Sequence, residues 1–117
     1  MAAPGTAYDD PDLGKDPQPA TMDDYYQGSE DNGGVHINSG IPNHAFCLAA
    51  KNMADKKLIQ YAWEIPGKIW YEVLTTRLQS NAQFIDAATA TVDVAQKYGA
   101  NAVAAVKDAW TAVKVMK

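Results

Sequence analysis

The sequence of 117 residues has few of the side chains that metal and disulfide chemistry require. Its single cysteine, Cys47, excludes an internal disulfide and a CxxC metal pair. Its two histidines, His36 and His44, do not have the i, i+4 spacing that places two metal ligands on one face of a helix. The sequence therefore predicts no metal site within this chain.

Long apolar runs and clusters of basic residues are also lacking. No apolar segment approaches the roughly 20 residues needed to span a bilayer, so no membrane partner is predicted. The first residues, Met1 to Gly5, have neither the basic region nor the apolar core of a signal peptide. The Lys and Arg residues are scattered along the chain and form no stripe of the kind that binds phosphate, so no nucleic-acid partner is predicted.

Acidic residues are concentrated near the start of the chain. Residues 1–31 hold eight acidic residues and one lysine, although the net charge of the whole chain is only −4. Four of the six prolines lie in this part, and no helical periodicity runs through it. We therefore predict an irregular acidic arm over residues 1–30, with turns at Pro11–Asp12 and Gly14–Lys15 and a helical turn around Met22–Tyr26.

Three aspartates of this arm, Asp9, Asp10 and Asp12, raise the question of calcium, because oxygen-rich loops bind that ion. Their spacing matches no calcium loop, so a solvated acidic turn is the favoured interpretation. We therefore expect no cofactor for this chain alone.

From Ser39 onward, apolar residues recur at steps of three and four, as in helices with one buried face. Ser39 itself is the predicted N-cap of the first helix. The pattern predicts helices over residues 40–54, from Pro66 to residues 77–79, from a cap at Ser80 or Asn81 to a stop at Gly99, and over residues 103–113. The predicted core consists of Phe46, Leu48, Ile69, Val73, Leu74, Ile85, Val92, Val106 and Trp110. The fold class is thus mainly α, with a helical bundle of about four helices in residues 31–117 after the arm.

The stretch Asp31 to Gly40 carries chemistry that composition does not explain. Gly33 and Gly34 allow positive φ, so Asp31 can fold back on His36. A carboxylate in that position accepts one ring N–H and leaves the other ring nitrogen pointing outward. For a histidine and an aspartate considered alone, a structural pair in a glycine-rich turn is the more frequent interpretation.

Longer motifs favour a functional role for His36 and Asp31 over a structural one. The run Asp31 to Asn43 (DNGGVHINSGIPN) is similar, almost letter for letter, to the segment that opens the helical C-terminal half of thermolysin-family zinc metalloendopeptidases. The segment Asp16–Met22 resembles the preceding loop of the protealysin-like branch. Further segments look like family landmarks in family order: Gly67–Tyr71, Asn81–Phe84, Lys97–Gly99 and Val103–Val115. The resemblance therefore covers nearly the whole chain.

The resemblance implies hydrolysis of peptide bonds and gives each site residue a role. His36 would be catalytic, donating a hydrogen bond to the oxyanion of the tetrahedral intermediate, and Asp31 would orient its ring. Asn32, Gly33 and Gly34 would form the structural turn that presents the ring. The implied partners are a peptide or protein substrate and an N-terminal half that binds zinc.

The resemblance also implies zinc in the full-length enzyme, bound outside this chain by an HExxH helix and a downstream glutamate. Neither His36 nor His44 can replace those ligands, so the chain alone is predicted to be inactive. The resemblance also allows calcium in the full-length enzyme, and it implies secretion, with a cytoplasmic location as the alternative.

Two positions depart from the family pattern. Cys47 stands where a tyrosine is usual, and Lys114 stands where a glycine is usual. Neither position touches the histidine motif.

The alternative function is a helical interaction module that has no catalytic activity and binds a partner through the surface that would face the other half.

Overall fold

The computed structural model describes residues 2–117 and is mainly helical. A short antiparallel ribbon and a 3-10 turn come first, and four helices of twelve to sixteen residues follow a single-turn helix. The elements are β1 (Asp9–Asp10), β2 (Gly14–Lys15), the 3-10 turn Met22–Asp24, α1 (Glu30–Gly34), α2 (Gly40–Asp55), α3 (Ile65–Thr76), α4 (Phe84–Ala95), the 3-10 turn Gln96–Tyr98 and α5 (Ala100–Ala112). The predicted fold class is confirmed.

The helix starts follow local hydrogen bonding. Before α3, the Glu64 carboxylate accepts the backbone N–H groups of Gln60 and Tyr61, both at 2.7 Å. Before α4, Asp86 accepts the backbone N–H of Gln83 at 2.7 Å, so Gln83 is the N-cap. The prediction of a cap at Ser80 or Asn81 was therefore wrong, because an acidic residue in the first turn selects the start of this helix.

The core lies between α2 and α5, with α3 and α4 packed beside them. Trp110 of α5 is fully buried and stacks on Trp70 of α3, with ring centroids 5.9 Å apart. Much of the remaining core is alanine, which lets helix backbones approach closely. The buried alanines are Ala45, Ala49, Ala88, Ala95, Ala102, Ala105 and Ala109.

Most of the predicted core residues are buried or half-buried, but the prediction was wrong for Leu74 and Ile85. Ile69, Val73, Val106 and Trp110 are buried as expected, and half-buried side chains at the margin include Phe46, Leu48 and Val92. Leu74 is 69% exposed because Val73 points inward and the next residue lies 100° further round the helix. Ile85 is 47% exposed because it lies in the first turn of α4, at the rim of a cleft.

Hydrogen bonds hold the start of the arm in place. β1 and β2 pair in register Asp9 to Lys15, and the buried Asp16 carboxylate accepts backbone N–H groups from Gly5, Ala7 and Gln18, each at 3.1 Å. The hydrogen bonds from Gln18, Ala7 and Gly5 lower the pKa of Asp16, although burial opposes the shift. Asp16 thereby links the first residues of the arm to its middle.

The end of the arm reaches the end of the chain. The N–H of Met22 donates to the carbonyl of Val113 at 3.0 Å, and Lys114 forms an ion pair with Asp23. The predicted helical turn near Met22 is confirmed as a 3-10 turn.

None of the helices in residues 2–117 is long and apolar enough to cross a membrane. The longest of them, α2, has 16 residues, and four of its positions carry ionisable side chains: His44, Cys47, Lys51 and Asp55.

Candidate active site around His36 and Asp31

The single turn α1 is largely left-handed. Asp31 (φ 55°, ψ 38°) and Asn32 (φ 50°, ψ 44°) precede Gly33 (φ 82°) and Gly34 (φ 80°), and the N–H of Val35 closes the turn on the Asp31 carbonyl at 3.0 Å. Aspartate, asparagine and glycine are the residues that tolerate this backbone region best. The expected positive φ at both glycines is confirmed, and the left-handed region extends over two residues more than expected.

This turn brings Asp31 onto His36. Asp31 Oδ1 lies 2.6 Å from His36 Nδ1, and Asp31 Oδ2 accepts the backbone N–H groups of His36 at 2.7 Å and Ile37 at 2.9 Å. These hydrogen bonds, led by that from the His36 ring, lower the pKa of Asp31, so its carboxyl group is ionised at neutral pH. Because a carboxylate can only accept, Nδ1 carries the proton in this pair.

The His36 ring projects away from the protein. Its side chain is 86% exposed, whereas that of Asp31 is only 22% exposed. Within residues 2–117, the ring makes its hydrogen bond through Nδ1, which leaves Nε2 free to meet another molecule. The ring is thus fixed at one nitrogen and open at the other.

The backbone carbonyl of His36 is held by Ser39 and by one residue of the arm. Ser39 Oγ donates to the His36 carbonyl at 2.5 Å, and Gln18 Nε2 donates to the same carbonyl at 3.2 Å. Ser39 is the N-cap residue of α2, as predicted, but its side chain makes no capping hydrogen bond to the helix and its hydroxyl donates to the His36 carbonyl instead. Sequence reasoning did not identify Gln18, since eighteen residues separate it from the histidine.

A cleft of about 390 Å³ opens beside the ring. His36, Asp31 and Ile37 form one side, and the arm contributes the other side, including the half-exposed Tyr8. A larger cleft of about 520 Å³ lies against the glycine turn, with the exposed side chains of Val35 and Ile85 in its lining. The two clefts adjoin the left-handed turn.

The other candidate ligands are not gathered at this site. A ring nitrogen of His44 lies 2.9 Å from the Ala20 carbonyl, and Cys47 is half-buried on α2. Asp10 accepts the backbone N–H groups of Asp12 and Leu13, as expected of a local acidic turn. No group of three His, Cys, Asp or Glu residues in the described part of the chain could hold a metal ion, so these residues do not fit a zinc site.

The sequence and the structure match proteins of one family. The family model described as the thermolysin metallopeptidase alpha-helical domain matches residues 1–115 of this sequence. An extracellular metalloprotease of Pectobacterium carotovorum subsp. carotovorum is 47% identical over 117 residues, which cover 98% of this chain and 32% of that protein. An extracellular minor metalloprotease of Serratia marcescens is 80% identical over 50 residues, covering 43% of this chain and 14% of that protein.

A solved structure agrees with this assignment. The precursor of protealysin, a metalloproteinase from Serratia proteamaculans, superimposes with a TM-score of 0.86 at 51% identity, covering 98% of this chain and 35% of that one. The chain thus spans about a third, or less, of the length of these relatives. This chain belongs to the thermolysin metallopeptidase family and corresponds to its alpha-helical domain.

Proposed function

We propose that this chain is the C-terminal part of a zinc metalloendopeptidase and forms one wall of the site that hydrolyses peptide bonds. His36 would be the catalytic hydrogen-bond donor, and Asp31 would orient it. The observation that carries this proposal is the 2.6 Å contact between Asp31 Oδ1 and Nδ1 of a ring that is otherwise exposed. This contact fixes the ring at Nδ1 and leaves Nε2 accessible to a substrate.

The chemistry follows from the position of the protons. Attack on a peptide carbonyl places negative charge on its oxygen, and a donor already aimed at that oxygen stabilises the transition state. Because Nδ1–H of His36 donates its hydrogen bond to the Asp31 carboxylate, Nε2 can donate only when the ring is an imidazolium. Such a charge-assisted hydrogen bond is stronger than a neutral one. Removal of such a donor typically costs about 3 kcal/mol, or roughly 100-fold in rate.

The remaining catalytic groups would lie in a second part of the protein. Since the described residues do not fit a zinc site, zinc would be bound by an N-terminal half that packs against this domain. The exposed apolar side chains of Val35 and Ile85, beside the site, suit a covered interface rather than a solvated surface. Calcium in the full-length enzyme stays a prediction.

The substrate would be a peptide or protein, since the relatives carry the names of proteases and metalloproteases. Secretion of the full-length protein is proposed because two of the most similar relatives are named extracellular. The chain alone is expected neither to hydrolyse a furylacryloyl dipeptide nor to bind zinc stoichiometrically, and isothermal titration with zinc would check the second point.

The test uses a chimera in which this chain replaces the matching segment of the Pectobacterium extracellular metalloprotease. In that protein, His36→Ala should lower kcat/KM for a furylacryloyl dipeptide by roughly 100-fold with bound zinc unchanged. His44→Ala is the matched control, because that ring faces the Ala20 carbonyl, and it should retain most of the activity. Near-normal turnover of His36→Ala, or loss of activity only through unfolding or zinc loss, would show that the histidine is structural.

The alternative function, a non-catalytic helical interaction module, makes a different genetic prediction. For an enzyme, an HExxH motif and a glutamate about twenty residues after it should be encoded upstream in the same reading frame. The absence of both from the complete gene would favour the interaction module.

A further inference from the structure

Asn38 makes two side-chain hydrogen bonds to the backbone of one residue of the arm. Its Oδ1 accepts the N–H of Tyr26 at 2.8 Å, and its Nδ2 donates to the carbonyl of Tyr26 at 2.9 Å. Asn38 is 3% exposed, so water does not compete for these groups. A side-chain amide carries its acceptor and its donor on two separate atoms of one plane, so it can pair with the N–H and the carbonyl of one residue at the same time.

The Tyr26 side chain in turn covers the left-handed turn. A Cβ atom on Gly34 would come 2.6 Å from Tyr26 Cδ1 and 2.8 Å from Asn38 Nδ2, so Tyr26 and Asn38 both press directly on that glycine. At the other end of the turn, the Tyr26 hydroxyl accepts the backbone N–H of Glu30 at 3.3 Å. Tyr26 therefore contacts both ends of the turn that carries Asp31.

Asn38 also joins this turn to α2 through its own backbone. Its N–H donates to the Gly34 carbonyl at 2.7 Å, and its carbonyl accepts the N–H of Ile41 at 3.1 Å. Left-handed backbone at Asp31 and Asn32 is unfavourable by itself and persists only where neighbouring groups hold it. Asn38 and Tyr26 are those neighbours.

We propose that Asn38 is a positioning residue for catalysis: its amide holds Tyr26 against the left-handed turn, and the turn thereby aims the Asp31 carboxylate at His36 Nδ1. This inference rests on the proposed function of His36 and Asp31. Asn38 does not touch the substrate and acts through the residues it holds.

The first test measures the pair directly in this 117-residue chain. Asn38→Asp keeps the shape but replaces the donor that faces the Tyr26 carbonyl with an acceptor oxygen, so the two oxygens repel each other. In NMR spectra, we expect the His36 Nδ1 proton signal to weaken or disappear through exchange. We also expect the pKa of Asp31 to rise toward its ordinary value, because its hydrogen bonds from His36 and Ile37 loosen.

The matched control is Asn52→Asp, which makes the same chemical change elsewhere. Asn52 is half-buried, and its Nδ2 donates to the Ala105 carbonyl at 3.1 Å, linking α2 to α5. This variant should lower the melting temperature and leave the Asp31 titration and the His36 signal unchanged. A merely structural Asn38 would behave in the same way, and that result would overturn the proposal.

A second variant keeps the test decisive if Asn38→Asp does not fold. Tyr26→Ala retains the backbone groups that Asn38 binds but removes the ring over Gly34 and the acceptor for Glu30. It should shift the Asp31 titration in the same direction. An Asp31 titration unchanged in Tyr26→Ala would also contradict the proposal.

The catalytic consequence is measured in the chimera. Asn38→Asp should lower kcat on the order of tenfold with little change in KM, because a loosened donor is misplaced mainly in the transition state. If His36→Ala left activity intact while Asn38→Asp still moved the Asp31 titration, the proposed function would fail and the positioning of the pair would stand. If His36→Ala abolished activity and Asn38→Asp changed neither property, the positioning role alone would fail.

Discussion

Trp110 donates its indole N–H to Thr91 Oγ1 at 2.7 Å, and both side chains are buried in the centre of the bundle. The same threonine hydroxyl donates to the carbonyls of Ala87 and Ala88, each at 2.9 Å. Thr91 therefore satisfies the one polar group of the largest core side chain without leaving any of its own unpaired.

Thr91→Val should destabilise the chain, because it leaves the Trp110 N–H buried without an acceptor. A buried N–H without a hydrogen-bond partner lowers the free energy of unfolding by about 1–3 kcal/mol. Thr91→Ser retains the acceptor and should cost less. Urea unfolding followed by circular dichroism would measure both, with Thr89→Val on the exposed side of α4 as the control, expected within about 0.5 kcal/mol of wild type. Equal effects of Val at positions 89 and 91 would contradict this account.

The two glycines of the turn should differ sharply when each is replaced with alanine. Each substitution places a Cβ atom on left-handed backbone, which costs roughly 1–2 kcal/mol of stability. A Cβ on Gly33 meets no atom within 4 Å, whereas one on Gly34 clashes with Tyr26. Gly34→Ala should therefore be the more destabilising variant, and it alone should weaken the His36 Nδ1 signal. Similar unfolding free energies for the two variants would mean that Tyr26 moves aside freely.

Asp31→Asn should reduce kcat/KM of the chimera by less than His36→Ala does. The amide can donate to His36 Nδ1, which would place the ring proton on Nε2 in the neutral tautomer and preserve a weaker donor. We therefore expect the activity of Asp31→Asn to fall less steeply than that of wild type as the pH rises. The two substitutions should be non-additive in a double-mutant cycle, since both act on one hydrogen bond. Additive losses would mean that Asp31 acts independently of the ring.

The acid stability of the chain should depend on Asp16. The pKa of its carboxyl group is lowered in the folded chain, so it stabilises the fold above its ordinary value of 3.8, and this contribution is lost as the pH falls through the folded-state pKa. Asp16→Asn should be less stable than wild type at pH 7, and its stability should change less below about pH 4. Melting temperatures measured from pH 7 to pH 2 would test this. Parallel curves for the two proteins would contradict it.

The sequence predicted the four long helices because each has an apolar stripe with helical spacing, and two of their boundaries are marked by Pro66 in the first turn of α3 and by Gly99 after the 3-10 turn that follows α4. It predicted the core less well. Large residues such as Leu74 were assigned to it, whereas alanines such as Ala45 and Ala105 occupy much of it. An apolar stripe identifies the buried face of a helix only to within about one residue. Which alanines on that face are buried depends on where the partner helix packs.

The contact between Asp31 and His36 could be predicted from the sequence, whereas the residues that hold this pair in place could not. Asp31 and His36 are five residues apart in one motif, so a turn through two glycines could bring them together. The contact between Tyr26 and Asn38 depends on how the arm crosses the turn, and no spacing in the sequence encodes that crossing. The resemblance identified Asp31 and His36, and only the structure shows which residues hold them.

The hydrogen bond from Met22 to Val113 has a consequence for the order of folding. Within this chain, the arm and the His36 turn are synthesised before the last helix, yet the arm is fastened by the residues that follow that helix, and the accompanying ion pair joins positions 91 residues apart. Contacts of such long range slow the folding of a domain, because the intervening chain must be closed into a loop before they form. The arm can therefore be fastened at Met22 only after the residues that follow α5 have reached their place.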